Sequence, residues 1–134
     1  MATIRSEIMP LRSTMDIVNM RQITRRWAVE AGFSLVDQTK IVTAASEIGR
    51  NTVVYGGGGT AKLELLNDED RRGVRITFED RGPGIADVAL ALKDGYGTGA
   101  GLGLGLGGAR RLVNEFTIES RLGEGTRVAL TRWK

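Results

Sequence analysis

The chain contains no histidine and no cysteine among its 134 residues. Without histidine it lacks the commonest general base and the usual metal ligand, and it cannot carry a phosphohistidine. Without cysteine, disulfides and thiolate chemistry are excluded, and this composition fits a reducing compartment. A carboxylate is therefore the natural candidate for any general base.

Aromatic residues are scarce and long apolar runs are missing. Only 5% of the residues are aromatic, so the stacking platforms that bind single-stranded nucleic acids are absent. The 15 arginines and four lysines are dispersed and leave a net charge of +3, which could face nucleic acid, an acidic protein or solvent. No segment approaches the roughly 20 apolar residues of a membrane span. We expect one cytoplasmic domain over residues 1–134, with no membrane or nucleic-acid partner.

Hydrophobic periodicity predicts an α+β fold. Asp16 is the predicted N-cap of the first helix, and Ser34 with Asp37 has capping-box spacing at the second. A polar turn is expected at residues 67–73, and four glycines from Gly56 predict a loose link after the second helix. We predict strands over residues 3–9, 61–66, 74–78, 116–121 and 126–133, and helices over residues 16–31, 34–55, 85–92 and 105–114. This order implies helices layered on one face of a mixed, mostly antiparallel sheet.

Glycine is concentrated between residues 95 and 108, where it occupies eight of fourteen positions. Glycine adopts positive φ and lets the backbone approach a ligand closely. The run therefore predicts a loop that holds a phosphate-bearing ligand with its amides, followed by a helix. A flexible linker is the alternative, but the run lies between core elements and its interleaved leucines are of a kind usually buried.

Three common phosphate loops do not fit this run. Residues 103–108 satisfy G-x-G-x-x-G, but no strand directly precedes them, and the acid about 20 residues later, Glu124, lies in a turn. A Walker A loop requires a lysine after its last glycine, which the run lacks. A eukaryotic-type kinase requires a histidine in its catalytic loop. These three readings are rejected.

Four separated motifs occur in order along the chain. They are Glu47-x-x-x-Asn51, Asp80-x-Gly82-x-Gly84, Gly101-x-Gly103-Leu104-Gly105-Leu106 and Gly123-x-Gly125-Thr126. Together they resemble the Bergerat ATP-binding fold of the GHKL superfamily, which includes gyrase-type topoisomerases, MutL, chaperone ATPases and histidine kinases. Residues 46–51 and 79–85 look most similar to bacterial anti-sigma-factor-type serine/threonine kinases. Residues 94–98 and 108–112 resemble the stressosome switch kinases of the RsbT type.

This resemblance implies that ATP binds with its adenine near the second and fourth motifs. Asp80 would accept a hydrogen bond from the 6-amino group, although it could instead cap its own turn. Gly82 and Gly84 would leave room for the purine, and Ile85 would pack beside it. Thr126 would either hydrogen-bond near adenine or only pair within its strand.

The resemblance also implies a site for the triphosphate and Mg²⁺. Asn51 would offer an amide oxygen to Mg²⁺, or it could cap its helix locally. Glu47 would orient or deprotonate the acceptor hydroxyl, with a structural contact or a contact to a Mg²⁺-bound water as the alternative. Gly101, Gly103 and Gly105 would present amides to the phosphates. The residues of this loop expected to bind ATP are Thr98, Gly99, Gly101, Leu102, Gly103, Leu104 and Gly105.

The function implied by the resemblance is phosphoryl transfer from ATP to a protein serine or threonine. The substrate would be a STAS-domain antagonist of the stressosome. Partner switching would follow, with the kinase released to activate a PP2C-type phosphatase. Two alternatives stay open at this point: an anti-sigma factor that sequesters a sigma factor, and a nucleotide-sensing module that transfers no phosphate.

Overall fold

The computed structural model describes residues 1–92 and 105–134. The strands are β1 (Ala2–Leu11), β2 (Gly59–Asp68), β3 (Arg71–Asp80), β4 (Glu115–Arg121) and β5 (Gly125–Trp133). The helices are α1 (Thr14–Glu30), α2 (Leu35–Val54), α3 (Val88–Ala91) and α4 (Gly105–Arg111). None of these described helices is long and apolar enough to cross a membrane.

The five strands form one sheet in the order β1-β2-β3-β5-β4. Every strand pair within residues 1–92 and 105–134 is antiparallel. The predicted α+β class is confirmed, and the mixed sheet that we expected is corrected to an antiparallel one. The reason is local: β2–β3 and β4–β5 are hairpins, and the α1–α2 pair returns the chain antiparallel beside β1.

The main core lies between one face of the sheet and the helices. Every second residue of a central strand points into this core. Leu63 of β2, Ile76 of β3 and Leu130 of β5, for example, are paired across neighbouring strands and are fully buried. They join one cluster with helical residues such as Trp27 and Ile41. Because a strand's alternate side chains share a face, this cluster places the helices on a single face, as predicted.

The β2–β3 hairpin is longer than its sequence suggested. We expected a polar turn over residues 67–73, but pairing continues to Asp68 and Arg71, and only two residues form the loop. The first of them, Glu69, has a φ of 53°, which is the left-handed conformation that tight hairpins require. The backbone ladder therefore extends through polar residues that hydrophobic alternation does not mark.

Three predicted helix ends are wrong. The short third helix was expected from residue 85, but α3 begins at Val88, after its N-cap Asp87. The N-cap of α1 is Ser13, whose hydroxyl accepts from the Asp16 amide, while the Asp16 carboxylate accepts from the Arg12 amide at 2.8 Å. Asp16 thus acts from the third helical position, and its carboxylate reaches the amide of the residue before the N-cap. The C-terminal end of the last helix also differs, because α4 ends at Arg111 and not at Asn114. Asn114 instead lies directly before β4, and its amide donates to the Thr131 carbonyl of β5.

Candidate functional site

A cavity of about 360 Å³ opens between α2 and the ends of β3 and β5. This volume lies within the range of small-molecule sites, roughly 300–1,000 Å³. The lining residues are Ile48, Asn51, Thr52, Tyr55, Gly56, Phe78, Asp80, Pro83, Gly84, Ile85, Ala91, Gly105, Leu106, Thr126 and Val128. Six of these were predicted as site residues from sequence: Asn51, Asp80, Gly84, Ile85, Gly105 and Thr126.

One wall of the cavity is a stripe along α2. Ile48, Asn51, Thr52 and Tyr55 follow the spacing of three, four and seven residues that places side chains on one helix face. The helix thereby presents one amide and one aromatic ring among apolar groups. Tyr55 was not predicted as a site residue, although the buried stripe of this helix, continued by one turn, would have reached it.

The opposite wall is built by alternate residues of two paired strands. Phe78 and Asp80 share a face of β3, and their partners on β5 are Val128 and Thr126. All four line the cavity. Phe78 and Val128 were missed in the sequence analysis, although the period-two rule applied from Asp80 and Thr126 identifies both.

Asp80 uses one carboxylate oxygen locally and leaves the other available. Its Oδ1 accepts a hydrogen bond from the Gly82 amide at 2.9 Å, which is the turn-capping arrangement considered from the sequence. Its Oδ2 has no hydrogen-bond partner among the residues that the structure describes. The two readings of Asp80 are therefore compatible, because the turn holds the side chain while Oδ2 remains free to accept from a ligand.

The loop around Asp80 is held by close backbone contacts. A Cβ atom at Gly56 would come within 2.5 Å of Asp80 Oδ2, and one at Gly82 would come within 2.7 Å of the Gly56 Cα. A Cβ atom at Gly84 would overlap the Arg121 carbonyl oxygen. Space for these protein atoms is thus an independent reason for glycine at 82 and 84. Gly82, unlike Gly84, is not among the described residues lining the cavity.

The link after α2 is closely packed rather than loose. The Gly56 amide donates to the Asn51 carbonyl at 3.0 Å, and the Gly58 amide donates to the Thr52 carbonyl at 2.9 Å. Gly59 already belongs to β2 and pairs with Asp80. The expectation of a loose link was wrong, because these glycines serve close approach to the Asp80 loop.

Thr126 both pairs in its strand and faces the cavity. Its Oγ1 lies 2.8 Å from the Ser120 Oγ, and Ser120 in turn accepts from the Ile85 amide at 2.8 Å. These contacts tie Ile85 to the β4–β5 hairpin. The same hairpin is fixed at its tip, where the Gly123 amide donates to the Pro83 carbonyl at 2.6 Å.

Glu47 lies one helical turn before Asn51 and is only 6% exposed. It is not among the described residues that line the cavity. Its carboxylate has no hydrogen bond or ion pair with another described residue. No hydrogen bond or ion pair among the described residues therefore assigns Glu47 a structural role. Its catalytic role stays a prediction.

Most of the predicted phosphate-binding loop lies outside the residues that the structure describes. Thr98, Gly99, Gly101, Leu102, Gly103 and Leu104 fall within residues 93–104, which are outside the described residues. Gly105, the last of the predicted set, begins α4 with a φ of 61° and lines the cavity. In the described ranges, no group of three or more acidic side chains gathers to hold a metal.

Sequence comparison connects this geometry to a known family. The sequence profile described as "Histidine kinase-like ATPase domain" matches residues 10–132, which is nearly the whole chain. The chain belongs to this family. The resemblance to GHKL-type ATP-binding domains drawn from the four motifs is therefore confirmed.

A more specific relative is the serine/threonine-protein kinase RsbT of Bacillus subtilis (strain 168). The two sequences are 45% identical over 118 residues, which cover 88% of this chain and 89% of RsbT. Identity at this level over almost the full length confirms the narrower resemblance. The chain is a member of the RsbT-type serine/threonine kinases.

Two solved structures share the fold. The RsbU and RsbW domains of a Mycobacterium tuberculosis protein align with a TM-score of 0.66 and 26% identity, over 96% of this chain and 32% of that one. This chain thus spans about a third of the length of that solved chain. The mycobacterial sensor histidine kinase MprB aligns with a TM-score of 0.56 at 14% identity, over 96% and 97% of the two chains. That second likeness concerns the fold alone.

Proposed function

We propose that this protein transfers the γ-phosphate of ATP, with Mg²⁺, to a serine or threonine of a STAS-domain antagonist protein. The observation that carries the proposal is that Asp80 and Asn51 line the same cavity, and that Asp80 Oδ2 has no hydrogen-bond partner among the described residues. In a chain 45% identical to a serine/threonine kinase, these two groups are suited to the two ends of a nucleotide.

The strand wall of the cavity fits a purine. Phe78, Val128 and Ile85 supply apolar surface, while Asp80 Oδ2 offers a charged acceptor beside them. An amino group on the purine would donate to this oxygen, and such charge-assisted bonds are stronger than neutral ones. Tyr55, half-exposed at the cavity rim, adds an aromatic surface on the helix side.

The helix wall fits the metal-bearing end of the nucleotide. Mg²⁺ keeps several waters and takes few protein ligands, so one amide oxygen from Asn51 together with phosphate oxygens is sufficient. ATP would supply the transferred phosphoryl group, and Mg²⁺ would neutralise charge on its phosphates. The loop before α4, including Gly101 and Gly103, would hold the phosphates with its amides.

Glu47 is the proposed base of the reaction. It lies on the same helix face as Asn51, one turn away, and no described side chain occupies its carboxylate. With no histidine in the chain, this buried carboxylate is placed to orient or deprotonate the hydroxyl of the substrate. Its role is tested separately from that of Asp80 below.

Partner switching is the proposed consequence of phosphorylation. After modifying its STAS-domain antagonist, the kinase would be released to bind and activate a PP2C-type phosphatase. The relation to RsbT supports this part of the proposal, since 88% of the chain aligns with that kinase. Its cytoplasmic location is part of the same proposal.

The decisive experiment is transfer from γ-labelled ATP, with Mg²⁺, to a co-encoded STAS-domain protein. We expect label on a serine or threonine of that protein and none after Glu47→Gln, which should still bind ATP. Asp80→Asn should instead weaken ATP binding by about 1.5–3 kcal/mol, measured by calorimetry, because a charged hydrogen bond is lost.

The alternative functions predict different results in the same assay. ATP binding without transfer to any STAS protein would favour a nucleotide-sensing module. Stoichiometric recovery of a sigma factor in a pull-down would favour an anti-sigma factor. Equal loss of ATP binding in the two variants would contradict the separate roles proposed for Glu47 and Asp80.

A further inference from the structure

Ser120 stands directly behind the wall of the cavity and contacts three polar groups. It lies on β4 opposite Thr126 of β5. Its Oγ accepts from the Ile85 amide at 2.8 Å, donates to the Gly125 carbonyl at 3.1 Å and lies 2.8 Å from Thr126 Oγ1. Ser120 does not itself line the cavity, whereas Ile85 and Thr126 do. Any effect it has on a ligand therefore passes through these two neighbours.

Counting protons fixes the direction of the bond between the two hydroxyls. A serine hydroxyl has one proton to donate and two lone pairs that accept. The Ile85 amide can only donate, so it uses one lone pair, and the Gly125 carbonyl can only accept, so it uses the proton. Only one lone pair of Ser120 remains. All three contacts are satisfied together only when Thr126 donates to Ser120.

This direction determines what Thr126 offers to a ligand. Once its proton points to Ser120, the Thr126 oxygen presents only lone pairs to the cavity. Its cross-strand neighbour Asp80 presents a carboxylate oxygen, which likewise only accepts. The wall formed by Asp80 and Thr126 is therefore made of acceptors alone.

We infer that Ser120 is a positioning residue that turns Thr126 into an acceptor, so that the wall selects a purine bearing an exocyclic amino group. Such a group carries two N–H donors, one for Asp80 and one for Thr126. A purine with a keto group at this position would place an acceptor against two acceptors, and a buried unpaired acceptor is costly. This inference rests on the proposed function, because it takes the cavity to hold ATP.

The test compares two nucleotides in the wild type and in Ser120→Ala. The probes are ATP and purine riboside triphosphate, which lacks the amino group but keeps the ring and the phosphates. In the variant, the Thr126 hydroxyl loses its acceptor and can turn its proton into the cavity. We expect the preference for ATP over purine riboside triphosphate to fall roughly three- to tenfold, the scale of one hydrogen bond.

The ratio of the two affinities shows whether Ser120 positions Thr126 or only supports the local structure. Loss of the Ile85 contact alone would weaken the binding of both nucleotides equally and leave the ratio of their affinities unchanged. That result would overturn the inference. Ser120→Thr keeps a hydroxyl on a strand position and should restore the ratio. Ser6→Ala, on exposed β1, is the matched control and should leave both affinities unchanged, because no hydrogen bond of its hydroxyl is seen among described residues.

The outcome also distinguishes this inference from the proposed function. If the wild type binds neither nucleotide, the proposal of an ATP site fails. If the wild type binds ATP and Ser120→Ala keeps the same ratio, only the role of Ser120 fails. Thr126→Val, which removes the acceptor outright, should reduce the ratio at least as much as Ser120→Ala, and an unchanged ratio there would also overturn the inference.

Discussion

The two ends of the β3–β5 strand pair both place glycine beside a larger side chain, with different results. At one end a Cβ atom at Gly73 would come within 2.6 Å of the Trp133 ring, so the indole covers Gly73. At the other end a Cβ atom at Gly56 would come within 2.5 Å of Asp80 Oδ2. The first arrangement buries an aromatic ring, whereas the second brings backbone close to a carboxylate whose Oδ2 has no hydrogen-bond partner in the described part of the chain.

The surroundings of the two side chains explain this difference. Trp133 is 7% exposed and fully bonded: its Nε1 donates to Glu115 at 2.6 Å, and the Arg71 guanidinium lies 4.2 Å from its ring centre. Asp80 is half-buried, and the Gly82 amide is its one hydrogen-bond partner among the described residues. A group whose bonds are all satisfied within the protein contributes to stability. A group held in place with an unused acceptor is available to a ligand.

The largest expected effect is the loss of stability in Trp133→Ala. Removing a buried tryptophan should lower the free energy of unfolding by about 3 kcal/mol, the lower end for such truncations, because the ring covers the sheet surface and not the main core. Chemical denaturation measures this change. ATP affinity of the folded variant should stay at the wild-type value.

Trp133→Phe is the control for this prediction. It keeps a ring on Gly73 but loses the hydrogen bond to Glu115, so the loss should be about 1 kcal/mol. A parallel fall in ATP affinity in either variant would show that the two ends of the strand pair are not independent.

An intermediate effect is expected for Gly56→Ala, on ATP affinity rather than on stability. The new methyl group would displace the Asp80 side chain, since Oδ2 lies within 2.5 Å of the added atom. ATP binding should weaken by up to about 1.5–3 kcal/mol, the scale for a charged hydrogen bond. Val54→Ala, an exposed change two residues earlier, should leave the affinity unchanged. Equal affinities for the two variants in calorimetry would contradict the role assigned to Gly56.

The smallest effect concerns the ion pair between Asp37 and Arg132, the residue before Trp133. Arg132 donates to the Asp37 carboxylate at 2.7 Å and to the Leu112 carbonyl at 3.0 Å. The hydrogen bond from Arg132 holds the pKa of Asp37 below its usual value of 3.8. Because this folded-state pKa is lowered, the pair stabilises the protein at pH values above 3.8 and loses that contribution as the pH falls through the folded pKa.

Thermal denaturation of Asp37→Asn and the wild type tests this ion pair. The variant should melt slightly lower at pH 7, and the difference should disappear as the pH is lowered past the folded pKa of Asp37. A difference that persists at the lowest pH would assign the effect to the cap of α2 instead of the ion pair. ATP affinity at pH 7 should be the same in both.

Elements with strong local signals were predicted well. The N-cap at Ser34 is confirmed, with the Asp37 amide donating to its hydroxyl at 3.2 Å. Boundaries that depend on partners were predicted less well. Pro10 belongs to β1, beyond the predicted strand, and an edge strand tolerates proline because one of its sides is unpaired.

The residues of the candidate site show the same difference between features with a local sequence signal and features that depend on distant partners. Asp80, Asn51 and Thr126 were identified from motifs and converge on one cavity, although their roles toward ATP stay predictions. Ser120 carries no motif, and its sequence neighbours are those of an ordinary strand residue. Its importance depends on the Ile85 amide, 35 positions away in the chain, and such a contact cannot be derived from local pattern.

The sequence by itself determined the elements, the one-sided layering and the family, because these depend on periodicity, capping residues and short motifs. Only the tertiary structure decided which oxygen of Asp80 the Gly82 amide occupies, why Gly56 must lack a side chain and how the Ser120 proton is directed. These properties arise where segments distant in sequence meet within hydrogen-bond distance. There, the position of one atom is set by all of its neighbours together.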